Sequence, residues 1–185
     1  NIMNEISNKI GFAAYVILIS LIMSCDSDFD QSDKDIRVTV FLYENCPIAQ
    51  YMCGPLRDAY NYFCDTLSHN ITFHGFSPNA FSTQLNLDLF TNKYSIPFEL
   101  ILDYNVTENT HGIHTQLYQP TVTPEVFIEL NNELIYRGMI DNSYQSLGQW
   151  SPATENYLFN TLQAIINNEE ISYFETNAIG CFINY

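Results

Sequence analysis

The stretch TVTPEVFIELNNELIYRGMID, residues 121–141, leaves a chain few choices. Two alternating β-type runs flank Asn131-Asn132, and asparagine tolerates the positive φ that a two-residue hairpin turn demands. The spacing predicts an antiparallel hairpin, strand 121–130 against strand 133–141.

Other segments supply its partners. IRVTVFLY, residues 36–43, is an apolar, β-branched run, as expected of a strand buried on both faces. It leads straight to Cys46. Pro47 suits the first turn of a helix, after which Cys53, Leu56, Ala59, Tyr60, Phe63, Cys64 and Leu67 recur at three- and four-residue steps, one apolar helical face. Gly54-Pro55 is expected to kink that helix. ITFHGF, residues 71–76, reads as a second strand, residues 81–91 as a polar helix, and PFELIL, residues 97–102, as a further strand. Residues 103–117 read as a short helix with loop character. A last helix is expected over residues 152–167, with Ser151 as N-cap, Pro152 at its first position, and Leu158, Leu162, Ile165 and Ile166 on its apolar face. The order βαβα(β)αββα predicts an α/β fold, a mixed sheet sandwiched by helices.

With 185 residues there is room for one domain with a proper core, and 13 Tyr and 13 Phe within a 46 % apolar composition argue against disorder. Six Lys and Arg against 21 Asp and Glu give a net charge of -15, which repels phosphate backbones and anionic lipid headgroups. Nucleic acid is therefore not an expected partner. The head of the chain is different in kind. Residues 10–23 form an apolar run of signal-peptide length, short of the ~20 residues of a lasting membrane span. LIMSC resembles a bacterial lipobox, by which Cys25 becomes the lipidated N-terminus of the mature chain. The expected organisation is a signal peptide over 1–25, an acidic tether over 26–35, and a folded domain over 36–185. Membrane association is expected through the lipid anchor only. In an exported domain, disulfides can form and persist.

Three motifs and a tail carry a family likeness: NCPIAQ at Cys46, TVTPEVFI around Pro124, YRGMIDNSYQ at 136–145, and ETNAIGCFI ending beyond Cys181. Together, in this order, they resemble the thioredoxin fold, specifically the bacterial redoxin branch related to alkyl hydroperoxide reductase, over about residues 36–185. The resemblance implies a three-layer sandwich with a C-terminal hairpin plus helix, and a cis Pro124, preceded by Thr123, facing a redox-active Cys46. It implies a cell-envelope thiol-disulfide oxidoreductase that acts on protein thiols or disulfides and needs no cofactor. The residues make the same site plausible by themselves. A thiolate is the reactive form of cysteine, and the unpaired amides and positive dipole end of a helix N-terminus favour it.

The second cysteine is less easily assigned. Thioredoxins carry C-x-x-C, but Ala49 stands at the second place. Cys53 is seven residues on, about 10 Å along a continuous helix, beyond the ~7 Å Cα limit for a disulfide. Cys53 and Cys64 both fall on the apolar face, where core packing is the expected role. Cys181 remains, on a tail after flexible Gly180 that is expected to fold back toward Cys46 as a disulfide or thiol pair; a static tail disulfide or a buried Cys181 is the competing reading. Peroxide reduction is disfavoured, because Thr39 and Tyr43 replace the Pro and Thr of the peroxiredoxin pattern P-x-x-x-T-x-x-C. Arg137 is expected in a strand-ladder role. Copper delivery would draw on His74, His111 and His114, but the C-x-x-x-C of such proteins is absent and Gly112 spoils a helical H-x-x-H, so no metal site is assigned. A non-catalytic binding lipoprotein is the remaining alternative.

Overall fold

The computed structural model describes residues 34–66 and 70–183. The expected signal peptide, the lipidated Cys25 and most of the tether lie outside them. Lys34 and Asp35, assigned to the tether, are bonded to the domain. Asp35 N donates to Asn131 Oδ1 at 3.0 Å, and Lys34 Nζ donates to Asn168 Oδ1 at 2.6 Å.

A five-stranded mixed sheet has the spatial order β3-β2-β1-β7-β8. Its central strand β1 (Ile36–Phe41) is buried at every position but Arg37, because both its faces are covered. Strand β2 (Ile71–Ser77) pairs parallel to it, β3 (Leu100–Leu102) pairs parallel to β2, and β7 (Glu125–Leu130) runs antiparallel on the other side. β7 turns into β8 (Glu133–Gly138) through Asn131 and Asn132 at φ 53° and 66°, the pair of positive values a type I′ turn requires.

Alternation along β1 builds two cores. Val38 and Val40 face the larger one, made with helix α1 (Pro47–Tyr60), helix α2 (Gln84–Tyr94) and helix α4 (Tyr157–Asn167). Phe41 faces the smaller one with Phe76 and Phe127, against which Tyr118 of helix α3 (Ile113–Tyr118) packs. His114 of α3 stacks on Phe76, with ring centroids 3.9 Å apart.

α1 is one helix across Gly54-Pro55 and passes into a π-helical turn (Asn61–Thr66), with its face Ile48, Ala49, Met52, Cys53, Leu56 and Ala59 in the core on both sides of the proline. Several local expectations are corrected. α4 begins at Tyr157 rather than 152, capped by Asn156, whose Oδ1 accepts from Phe159 N at 3.1 Å. The preceding residues are drawn elsewhere: Asn142 Oδ1 accepts from Thr154 N at 2.8 Å and from Glu155 N at 3.0 Å, and Ser151 N donates to Ser143 O at 2.8 Å. Part of the segment read as a short helix is a hairpin, β4 (Tyr104–Asn105) with β5 (Thr110–His111), ahead of α3. A second small hairpin joins β9 (Tyr144–Ser146) to β10 (Gln149–Trp150). Short strand β6 (Val122–Thr123) precedes β7, and the chain's last strand, β11 (Cys181–Phe182), pairs with β6.

Candidate active site

Cys46 caps α1. Its φ of -83° and ψ of 118° are extended, and Pro47 occupies the first helical turn. Its amide donates to Tyr43 O at 3.0 Å, and its carbonyl accepts from Gln50 N at 2.9 Å. The approach loop is fixed by Glu44, a buried residue whose Oε2 accepts from Ser82 Oγ at 2.6 Å and whose carbonyl accepts from Gln50 Nε2 at 2.8 Å. The strand end and the helix start are thus tied together, so the thiol has little freedom to wander.

That thiol donates to the Thr123 carbonyl at 3.1 Å, and the Thr123–Pro124 peptide bond is cis. Beneath the proline, Glu125 is 2 % exposed and accepts from Thr121 N at 2.6 Å and from Arg137 Nη2 at 2.7 Å. Arg137 also lies over the Phe127 ring at 4.8 Å. Its strand-ladder position therefore carries a half-buried ion pair with Glu125, next to Pro124 in the chain.

The C-terminal tail completes the site. Cys181 pairs with Thr123 and Phe182 with Val122, antiparallel, so the tail lies along β6. Burial first, and then the neighbouring Cys46, push the Cys181 thiol up to about 12. Both cysteines are free thiols. Gly180, read from sequence as a flexible link, is instead buried against the site: a Cβ there would stand 2.2 Å from the Thr123 carbonyl oxygen and 3.1 Å from Pro124 N. Only glycine lets the tail come this close.

A second fastening holds the tail five residues earlier. Thr176 Oγ1 accepts from Met139 N at 2.9 Å and bonds the Tyr136 hydroxyl at 2.6 Å. Arg137 N donates to Phe174 O and Thr176 N to Arg137 O, each at 3.0 Å, along the free edge of β8. Gly138, at φ 134°, makes room for this clasp, since a Cβ there would meet Thr176 O at 2.3 Å.

Four sequence candidates, Cys46, Thr123, Pro124 and Cys181, are thus brought to one place. Cys46 itself is 0 % exposed. The tail is part of its cover: Ile179 and Cys181 pack against the cluster that contains it. The other cysteines lie apart. Cys53 is buried, its thiol donating to Ala49 O at 3.1 Å, and burial raises it to about 12. Cys64 donates to Ile71 O at 3.5 Å. Of the peroxide-pattern positions, Thr39 bonds Tyr118 Oη at 3.3 Å and Tyr43 Oη accepts from Asn45 at 3.4 Å. Among the described residues no three His, Cys, Asp or Glu side chains gather as a metal site.

Sequence reasoning missed Gly180, Thr176 and Glu44. Each acts through a partner far along the chain, and only the glycine before Cys181 left a visible trace.

The sheet order, the antiparallel β7, and the cysteine-capped α1 facing a cis proline make this a thioredoxin-like fold, a central mixed sheet flanked by helices. The structure resembles an uncharacterized conserved protein from Geobacillus kaustophilus (TM-score 0.68, 19 % identity, 83 % of this chain and 79 % of that one). It also resembles a hypothetical protein from Sinorhizobium meliloti (TM-score 0.66, 18 % identity, 85 % and 83 %). An uncharacterized thioredoxin-like protein from Porphyromonas gingivalis is a weaker match (TM-score 0.49, 13 % identity, 76 % and 81 %). No protein-family profile matches the sequence, and no curated protein matches it significantly. At such identities the likeness concerns the fold.

Proposed function

We propose that this chain is a thiol-disulfide oxidoreductase in which Cys46 and Cys181 are the two halves of one redox couple. The observation that carries the reading is the convergence of both cysteines on Thr123, whose carbonyl accepts from the Cys46 thiol and which pairs in a strand with Cys181. In the oxidised state the two sulfurs share a bond. A partner dithiol reduces it by exchange through a mixed disulfide, so that the partner's two electrons and two protons end on Cys46 and Cys181 and the partner leaves as a disulfide. The reverse sequence reduces a partner disulfide, and the relative reduction potentials set the direction.

Protein thiols are the proposed substrates. The net charge of -15 speaks against nucleic acid. The apolar head and LIMSC support export and anchoring through Cys25, and among the described residues no helix is long and apolar enough to cross a membrane. Disulfide reduction assayed on an insulin-type substrate, with thiol counting before and after oxidation, tests the reading. Oxidation should remove two thiols and join the Cys46 and Cys181 peptides; Cys46→Ser should abolish both this link and turnover. An oxidised protein that keeps both thiols would sink the proposal.

A further inference from the structure

If Cys46 and Cys181 form the couple just proposed, the geometry also bears on which of them a partner meets. Cys46 is 0 % exposed, whereas Cys181 is only half-buried. In the reduced state the tail could lift from Cys46, since β11 is two residues long and the Thr176 clasp would hold the rest of the tail in place. In the oxidised state it could not, because the bond to be attacked is the one that ties the cover down.

We infer that Cys181 is the sulfur attacked by a partner thiolate and that Cys46 is the inner, leaving sulfur. The tail cysteine, and not the one at the helix start, is then the sulfur that meets the partner. A new bond forms between the partner sulfur and Cys181 Sγ. The Cys46–Cys181 bond breaks, and its electron pair stays on Cys46 Sγ at the N-terminus of α1, whose unpaired amides and dipole favour a negative sulfur. A second partner thiolate then attacks the partner's own sulfur and expels Cys181, which takes up a proton. In the opposite direction Cys181 attacks the partner disulfide and Cys46 closes the couple.

The surroundings of Cys181 suit such an encounter. Phe182 and Ile183 line a groove with Thr123, Tyr43 and Phe81, and Phe81 and Phe182 are 81 % and 79 % exposed. A protein segment that carries its cysteine among apolar residues fits this surface. The high-lying Cys181 thiol makes the reduced couple slow to attack near neutral pH, which is consistent with Cys181 serving first as an electrophile in the disulfide.

The test uses the oxidised full chain and reduced glutathione as the probe. After a short exposure, acid quenching and blocking of free thiols with N-ethylmaleimide, peptic peptides are mapped by mass. Glutathione on Cys181 and maleimide on Cys46, at least about tenfold over the converse, is the expected result. Glutathione on Cys46 overturns the assignment while leaving the couple intact. Oxidised chain in which no peptide joins Cys46 to Cys181 overturns the couple, and the assignment with it.

Discussion

Cys46 and Cys53 stand on the same helix and look alike by the usual measures. They are 0 % and 1 % exposed, and each thiol donates to a backbone carbonyl at 3.1 Å. The carbonyls differ. Cys53 bonds Ala49, one turn back on its own helix, whereas Cys46 bonds Thr123, brought from 77 residues away. Removing the cover of Cys53 means opening the core, while the cover over Cys46 includes a strand of two residues on a tail. Burial alone therefore does not separate a packing thiol from a working one. The free energy needed to uncover it does, and local opening of a short tail costs far less than global unfolding.

The sharpest break of this comparison exchanges the two thiols in turn. Cys46→Ser is expected to lower disulfide turnover by about a hundredfold or more with a thermal midpoint close to wild type. Cys53→Ala should keep turnover within about threefold while costing about 1 to 2 kcal/mol of stability through the small cavity it leaves. Equal loss of turnover in both variants would erase the distinction.

The clasp comes next. Thr176→Val orphans Met139 N, a cost of about 1 to 3 kcal/mol, while the Tyr136 hydroxyl keeps its bond to Met139 O, and it loosens the tail upstream of Cys181. In the reduced protein, Cys46 should then be alkylated about tenfold faster, with Cys53 unchanged. An unchanged rate at Cys46 would show that the tail is not the removable cover.

Gly180→Ala probes the same cover with less damage. Its methyl would collide with the backbone of Thr123 and not with a pliable side chain, so β11 should detach while the core keeps its packing. Faster alkylation of Cys46, by about three- to tenfold, with a stability change under about 1 kcal/mol, is the expected pair of results. A variant as protected as wild type would mean that the close approach is relieved elsewhere.

Much of this architecture was legible in sequence because it rests on local rules. Asn131-Asn132 dictated the turn, the run over residues 36–43 declared a strand buried on both faces, Pro47 marked the start of α1, and Leu158, Leu162 and Ile165 marked the buried face of α4. What stayed hidden depends on partners distant in the chain. Asn142 draws residues 154 and 155 away from α4 and moves the cap from Ser151 to Asn156. Core packing on both sides of Pro55 keeps α1 helical across a residue whose local preference is to break it. Thr176 has no periodicity that announces a clasp, and Gly180 reads as slack until Thr123 is seen against it. The site followed the same division: its cysteines, its proline and the return of the tail toward Cys46 could be named, but the Thr176 and Gly180 fastenings of that tail could not.

The smallest expected effect concerns protons. Cys53 and Cys181 are both pushed up to about 12 from an ordinary value of 9.0, but for different reasons. Burial raises Cys53 against the opposing pull of Arg57, whereas Cys181 is raised by burial and, in addition, by Cys46. The native state thus holds both thiols neutral where the unfolded chain would have released its protons, so their contribution to stability is complete below about pH 9 and falls as pH rises toward 12. Cys46→Ser removes one of the two causes at Cys181 and none at Cys53. At pH 9 the alkylation of Cys181 in that variant should therefore quicken by about two- to threefold, while Cys53 keeps its wild-type rate. A Cys181 indifferent to the loss of Cys46 would mean that the two sulfurs do not sense each other.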